Sequence, residues 1–307
     1  MRHLFVINPT AGKNTDPQEL IHQIGSVMEQ RNDSYQVRIT QFAQHGEEMI
    51  RAAAKESDEP LRVYVFGGDG TLNEAVNAAA GYDHVAITVC PTGSGNDFLK
   101  IFGQTRSHFS NLEELVDGEE AVFDLIECNG RYSINLASVG LDARIGVGMV
   151  DFKHLPLVSG KLAYLLSLVT NVIKKTRNHF RIRLDGEAIE GDYTLVAACN
   201  GRYYGGGFCP VPTAMPDDNT LYFVLVKAVS RLQIAALVKK YGDGRGDEFP
   251  ELIRICRGKE MIVESPEPTI AQLDGEKMES NLLSFRLSAK KIHFIYPRES
   301  SWAPASI

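Results

Sequence analysis

The sequence predicts two domains of different class. The first is an α/β domain on a parallel sheet with helices on both faces, and the second is a mostly antiparallel β-sandwich. Three observations carry this. Apolar runs of strand length alternate with helical spacing at the start of the chain. After about Ala121, strand-like segments follow one another through glycine and proline turns. The chain also has 307 residues, too many for one ordinary core.

In the first domain, Leu4 to Ile7 reads as a short buried strand closed by Asn8-Pro9 and a small-residue turn through Gly12. Pro17 to Glu29 has helical spacing, with Leu20, Ile24, Val27 and Met28 on one side. Tyr35 to Thr40 alternates as a strand, and Gly46 to Lys55 reads as a helix. Leu61 to Phe66 is a strand, Leu72 to Ala80 a helix, and Val85 to Val89 a strand. In the second domain the predicted strands are Val122 to Ile126, Tyr132 to Leu136, Phe180 to Leu184, Tyr193 to Ala198, Leu221 to Val229, Met261 to Val263 and Leu283 to Leu287. Asp185-Gly186 and Asp274-Gly275 are turn signals. Helices are expected at Leu162 to Lys175 and Leu232 to Tyr241, and Ser300 to Ile307 reads as a frayed tail.

Charged residues make up 23% and hydrophobic residues 44%, the balance of a globular protein. A net charge of -7 argues against nucleic acid as the partner. The five cysteines are scattered, with no C-x-x-C pair, and read as small buried hydrophobes of a reducing compartment. The eight histidines show no zinc-binding spacing. The N-terminal apolar run is too short for a signal peptide, and Leu162 to Ile173 is too short to span a bilayer. The expectation is a cytoplasmic protein.

The sharpest motif is Gly67-Gly68-Asp69-Gly70-Thr71, which follows a strand and opens a helix. Glycines let the backbone approach a ligand, and the helix start presents amides to a phosphate. Asp69 would repel phosphate without a cation, so it points to magnesium–nucleotide chemistry. Pro91 to Asp97 and Asn8 to Lys13 are two further turns after strands. Ligands of open α/β sheets bind at strand carboxyl ends, so the three loops can converge. No Walker A pattern is present. In the second domain, Asp274-Gly275-Glu276 and Asp217-Asp218-Asn219 are acidic turns, and Asn200 to Gly207 is a glycine loop fit for a lid or a connector.

Taken in order, these motifs resemble the soluble bacterial diacylglycerol-kinase-like lipid kinases, relatives of diacylglycerol and sphingosine kinases. The matching elements are Asn-Pro-x-x-Gly at Asn8 to Gly12, G-G-D-G-T-x-x-E at Gly67 to Glu74, and Gly95 to Phe98. They continue with Ile134-Asn135, Gly140 to Ala143, Gly205 to Gly207, Asp217-Asp218 and Asp274 to Glu276. The glycine–aspartate element alone also occurs in NAD kinases and resembles one in phosphofructokinases.

The resemblance implies an ATP-binding domain over 1–122 and 291–307 and a lipid-substrate domain over 123–290, with the active site between them. It implies ATP and Mg2+ as cofactors and a lipid with a free hydroxyl as substrate. Asn8, Pro9, Thr10, Ala11, Gly12, Thr40, Gly67, Gly68, Asp69, Gly70, Thr71, Leu72, Asn73 and Ser94 would contact ATP. Asp274 would be the general base, with Glu276 orienting it or the metal. Asp218 and the carbonyls of Met215 and Thr220 would hold a structural magnesium, while Asp97 and Asp124 support the site's magnesium and water network. Asn219 stands where the family usually has glycine, Thr220 where a larger residue is usual, and Ser94 where threonine is common.

Lys174 to Arg183 is a basic run beside an apolar segment, suited either to an anionic membrane surface or to a helix end that needs cations. Exposed strand edges would also permit a homodimer. Two other readings stay open: an NAD-kinase-like small-molecule kinase, and a non-catalytic lipid- or nucleotide-binding regulator.

Overall fold

A computed structural model describes residues 1–12, 16–93, 95–103, 106–148, 166–167, 170–172 and 176–305. The chain divides into two compact units, Met1–Phe123 with Lys290–Ala303, and Asp124–Ala289 with Pro304–Ile307.

The first unit alternates strand and helix: β1 (Arg2–Ile7), α1 (Pro17–Met28), β2 (Ser34–Ile39), α2 (His45–Glu56), β3 (Leu61–Gly67), α3 (Asp69–Ala79) and β4 (Val85–Pro91). Two short helices, α4 (Arg106–Ser110) and α5 (Leu112–Val116), precede β5 (Glu119–Phe123). The sheet order is β2-β1-β3-β4-β15-β5, where β15 (Ile292–Tyr296) is the last strand of the chain. All pairs are parallel except β15 with β5. Every residue of β4 is buried, the signature of a parallel strand covered on both faces. Helix α1 starts where Asp16 accepts the Gln18 N–H at 2.9 Å and Pro17 occupies the first turn. Phe98, Phe102, Phe109, Phe123 and Phe294 form a buried aromatic core at the β15 side.

The end of the chain departs from the expected fray. Ser301 donates its N–H and its hydroxyl to the Phe102 carbonyl, at 3.2 and 3.0 Å. The Trp302 ring lies 5.5 Å from Phe102 and 5.3 Å from Phe123, so aromatic burial ties down what composition alone marks as a loose tail.

Among the described residues the second unit holds nine strands: β6 (Ile126–Cys128), β7 (Arg131–Ser133), β8 (Leu136–Gly140), β9 (Asn178–Leu184), β10 (Glu187–Cys199), β11 (Leu221–Lys227), β12 (Ile253–Gly258), β13 (Glu260–Leu273) and β14 (Glu276–Leu287). All pair antiparallel. The long strands β10 and β13 shift register at Tyr193/Leu195 and Glu264/Thr269, and β9 pairs with both. Such irregularities bend strands so that one sheet supplies both layers of a sandwich. Phe180, Ile182, Phe223, Met261, Val263, Leu283 and Phe285 fill the interior. Helices α6 (Leu141–Gly148) and α7 (Arg231–Gly242) pack outside it, and a reciprocal Ser230/Gln233 capping box starts α7.

Three hairpin turns, Asn129-Gly130, Asp185-Gly186 and Asp274-Gly275, have positive φ at both residues, as a two-residue turn between twisted strands requires. The single strand expected over Val122 to Ile126 is instead two. β5 ends at Phe123 and β6 starts at Ile126, because the buried Asp124 turns its N–H to the Pro216 carbonyl at 2.6 Å. The helix expected over 162–175 lies largely outside the described residues.

Candidate active site

The sheet order puts the carboxyl ends of β1, β3 and β4 side by side. Each is followed by one of the three glycine-bearing loops. Asn8 anchors the first. Its N–H donates to the Phe66 carbonyl at 3.1 Å and its Nδ2 to Thr71 Oγ1 at 3.1 Å. Its Oδ1 accepts from the Thr10 N–H and hydroxyl at 3.0 and 2.8 Å. Gly12 closes the turn at φ 84°. Thr40 is buried just after β2 and donates its N–H to the Ile7 carbonyl at 2.9 Å.

The second and third loops pack backbone against backbone. The Gly67 carbonyl accepts from the Thr92 and Gly93 amides at 3.1 and 2.9 Å. A Cβ on Gly93 would sit 2.9 Å from Gly68 Cα, and one on Gly68 would sit 2.9 Å from the Gly95 carbonyl oxygen. Asp69, in the first turn of α3, accepts the Asp97 N–H on Oδ1 at 2.9 Å. Asp97 is buried and paired with Lys100. The α3 cap residue is Gly68, which has no side chain to occupy the helix start. This is a cradle that only glycine permits, with amides and a positive dipole end at its floor. Leu72 and Asn73 are buried, and the Leu72 N–H donates to the Gly68 carbonyl at 3.0 Å. Ser94 lies outside the described residues.

Glu74, one turn further along α3, accepts the amides of Gln44 and Gly46 at 2.9 and 3.1 Å. Gln44 itself has φ 67° and gives α2 no side-chain cap. Glu74 therefore does what a cap would do, and it links the segment after Thr40 to the helix carrying the motif. Its place in the motif was visible in the sequence; its partners were not.

In the second unit, Asp274 occupies the β13–β14 turn at φ 52°. Its Oδ1 accepts from the Ser133 hydroxyl at 2.6 Å, the Leu136 amide at 2.9 Å and the Asn135 amide at 3.2 Å. Its Oδ2 accepts from the Ile134 amide at 2.9 Å, and its own N–H donates to the Leu136 carbonyl at 2.9 Å. The segment from Ser133 to Leu136 thus wraps the carboxylate and fixes its direction. Ser133 and Leu136 carried no signal in the sequence, since they lie well over a hundred positions from Asp274. Glu276 is exposed at the first position of β14.

Sequence comparison accounts for both halves of this arrangement. The chain matches the diacylglycerol kinase catalytic domain over residues 2–128. It matches the YegS C-terminal NAD kinase beta sandwich-like domain over residues 135–295, more than half of its length. The chain belongs to the diacylglycerol-kinase-like lipid kinase family. Chains of Staphylococcus aureus named "Putative lipid kinase" are 25% identical over 215 residues, 70% of either chain. A crystal structure described as a "putative diacylglycerol kinase" from Bacillus anthracis str. Sterne superposes at a TM-score of 0.77, with 22% identity and 97% of both chains covered. Yeast NADH kinase, in complex with NADH, superposes at 0.54 with 11% identity, covering 98% of this chain and 85% of that one. These likenesses agree with the α/β domain and the antiparallel β-sandwich of this family member.

Other sites implied by the family resemblance have the following surroundings. Asn219 takes φ 56°, so asparagine serves where the family usually has glycine. Its N–H donates to Asp124 Oδ2 at 2.7 Å. Asp218 Oδ2 accepts from the Tyr222 hydroxyl at 2.7 Å and pairs with Arg257 at 3.0 Å. The Tyr222 phenol is pushed up to about 12, by burial and then by its bond to Asp218. Asp217 Oδ1 is buried with no hydrogen-bond partner, and burial raises the pKa of this carboxyl. Among the described residues, no three His, Cys, Asp or Glu side chains converge as a metal cage. Asp218 is the one carboxylate of the expected magnesium set and already pairs with Arg257, so an ion here would rest mainly on the main-chain carbonyls of Met215 and Thr220.

In the described part of the basic run, Arg177, His179 and Arg181 meet two acids of β10, Glu190 and Asp192. His179 bonds Glu190 and Asp192, each at 3.1 Å, while Arg181 pairs with Glu190 at 3.4 Å and Arg177 with Asp192 at 3.5 Å. This face of β9 and β10 is an alternating ladder of charge. The cysteines are all free, and burial pushes the thiols of Cys90, Cys128 and Cys199 upward, which leaves them inert. No helix among the described residues is long and apolar enough to cross a membrane.

Proposed function

We propose that the protein is an ATP-dependent kinase that transfers the γ-phosphoryl group to a hydroxyl of diacylglycerol or a similar lipid. One observation carries the nucleotide half: the Gly67–Gly68 and Gly93–Gly95 backbones meet at distances no side chain would allow, at the start of a helix whose first residue is Asp69. Asn8 to Gly12, Thr40, Gly67 to Asn73 and Ser94 are assigned to ATP. Magnesium would arrive with the nucleotide, as part of the substrate, and offset phosphate charge.

In this reading the lipid hydroxyl oxygen forms a bond to the γ-phosphorus as the bond to the ADP oxygen breaks. Asp274 accepts the hydroxyl proton. The bonds from Ser133, Ile134, Asn135 and Leu136 support that assignment, because a base must be held in one direction to meet its proton. Glu276 is assigned to orient it. Asp218 with the carbonyls of Met215 and Thr220 is assigned a structural magnesium, near Asp124, and Asp97 a supporting role in the nucleotide's magnesium network; no chemical step depends on the structural ion.

ADP release against diacylglycerol, phosphatidylglycerol and a sphingoid base in mixed micelles tests the proposal. Turnover on one lipid supports it. Silence on all of them, with phosphorylation of NAD, would favour the second reading, for which the likeness to yeast NADH kinase is the specific observation.

A further inference from the structure

Asp142, in the first turn of α6, is 3% exposed and has no part in the chemistry described above. Its Oδ2 accepts from the Ser138 hydroxyl at 2.7 Å. Ser138 lies on β8 directly across from Gln272 on β13. The Ser138 oxygen in turn accepts from Gln272 Nε2 at 3.1 Å. At its other end, Gln272 Oε1 accepts the Gly275 N–H at 2.7 Å. Gly275 is the second residue of the turn that carries Asp274.

The direction of this chain is forced. A backbone N–H can only donate, so it fixes Oε1 toward the turn and Nε2 toward Ser138. Ser138 then spends its single proton on Asp142. Each donor points the same way, from the turn to the buried carboxylate, and such bonds polarise one another. The register explains the need. Leu273 pairs with Glu276, so the Gly275 amide falls between the strands with no ladder partner. Asp274 itself sits at φ 52°, the left-handed conformation that an Asp-Gly hairpin turn uses. The segment from Ser133 to Leu136 fixes the carboxylate, and Gln272 fixes the backbone beneath it.

We propose that Gln272, Ser138 and Asp142 form a positioning relay that sets the Asp274 turn for proton transfer. This rests on the reading of Asp274 as the base. The groups facing Asp142 are Tyr204, which bonds it, and Tyr241 and Cys199, all neutral near pH 7; burial pushes Asp142 up to about 6. The relay therefore ends on a group that accepts hydrogen bonds.

The test compares Gln272→Leu, Ser138→Ala, Asp142→Asn and Asp274→Asn in the full chain, with MgATP and dioleoylglycerol in mixed micelles. Gln272→Leu should lower kcat by about tenfold to a hundredfold, the scale of a small misplacement. Its KM for MgATP should stay within about twofold, and the acid limb of its kcat–pH profile should move. Asp142→Asn keeps an acceptor for Ser138 and should keep most of the wild-type rate. Hydrogen exchange at the Gly275 amide, read without substrate, should quicken about tenfold or more in Ser138→Ala and Gln272→Leu. Asp274→Asn separates the two levels. An active Asp274→Asn would overturn the base reading and the relay's role with it. An inactive Asp274→Asn beside wild-type rates in Ser138→Ala and Gln272→Leu would overturn the relay alone. If Gln272→Leu fails to fold or the wild type is silent on this lipid, unchanged Gly275 exchange in Ser138→Ala overturns the relay, and quickened exchange supports it.

Discussion

The Asp97 amide donates to Asp69 Oδ1 at 2.9 Å, and this bond ties the loop after β4 to the first turn of α3. Asp69 thus holds the cradle's wall as well as standing at its floor. Replacing it with alanine removes the tie and the charge together. Asp69→Ala should weaken MgATP binding by about tenfold or more, while Asp69→Asn keeps an acceptor and should retain the loop. Nucleotide titration of both variants by calorimetry checks this.

Gly93→Ala tests the cradle by space alone. Its Cβ would meet Gly68 Cα at 2.9 Å, backbone against backbone, so the two loops must part. Nucleotide affinity should fall by about tenfold or more. Gly25→Ala is the contrast: it lies in α1 with its nearest neighbour atom, the Tyr35 hydroxyl, at 4.0 Å. That change should stabilise the fold by about 0.5–1 kcal/mol through helix propensity. Calorimetric nucleotide titration reads the first change and denaturant melts the second.

Glu74→Ala strips the acceptor from two amides, Gln44 and Gly46. The expected loss is about 1–3 kcal/mol, with a smaller loss for Glu74→Gln, which keeps one oxygen. Urea unfolding at constant slope measures it.

Asp142 also predicts a pH signature. Burial raises its carboxyl from the ordinary 3.8 to about 6. Between those values the folded chain holds a proton that the unfolded chain has released. Its contribution to stability is therefore full below pH 3.8, falls as pH rises to about 6, and is level above that. The difference is on the order of 3 kcal/mol. Asp142→Asn should lose this slope. Equal slopes in the two proteins over pH 4 to 6 would contradict the assignment.

Much of the first unit was legible because each signal is local. A strand, a glycine turn and a helix follow one another within the 19 residues from Leu61 to Ala79, and the structure keeps that order. The second unit was legible only in its apolar stretches. β13 runs from Glu260 to Leu273, yet only Met261 to Val263 reads as strand; the polar, partly exposed middle around Glu264 and Glu267 hides the rest. β12 alternates only over Ile253-Arg254-Ile255 before Cys256 breaks the pattern, too short a run to read as a strand. Asp274 was visible as a turn residue and as a family match. Its donors at 133–136 and its brace at Gln272 belong to strands brought together only by register, which no local pattern encodes.

The most direct measurement is transfer of label from γ-labelled ATP into a lipid panel, by the wild type and by Asp274→Asn. Asparagine keeps an oxygen for Ser133, Asn135 and Leu136 but would face the Ile134 amide with an NH2, so the melting temperature is read alongside. The account predicts labelled lipid with the wild type. In the folded variant it predicts a loss of roughly a hundredfold to ten-thousandfold, with MgATP still bound. Comparable transfer by Asp274→Asn, or label appearing only in NAD, would contradict it.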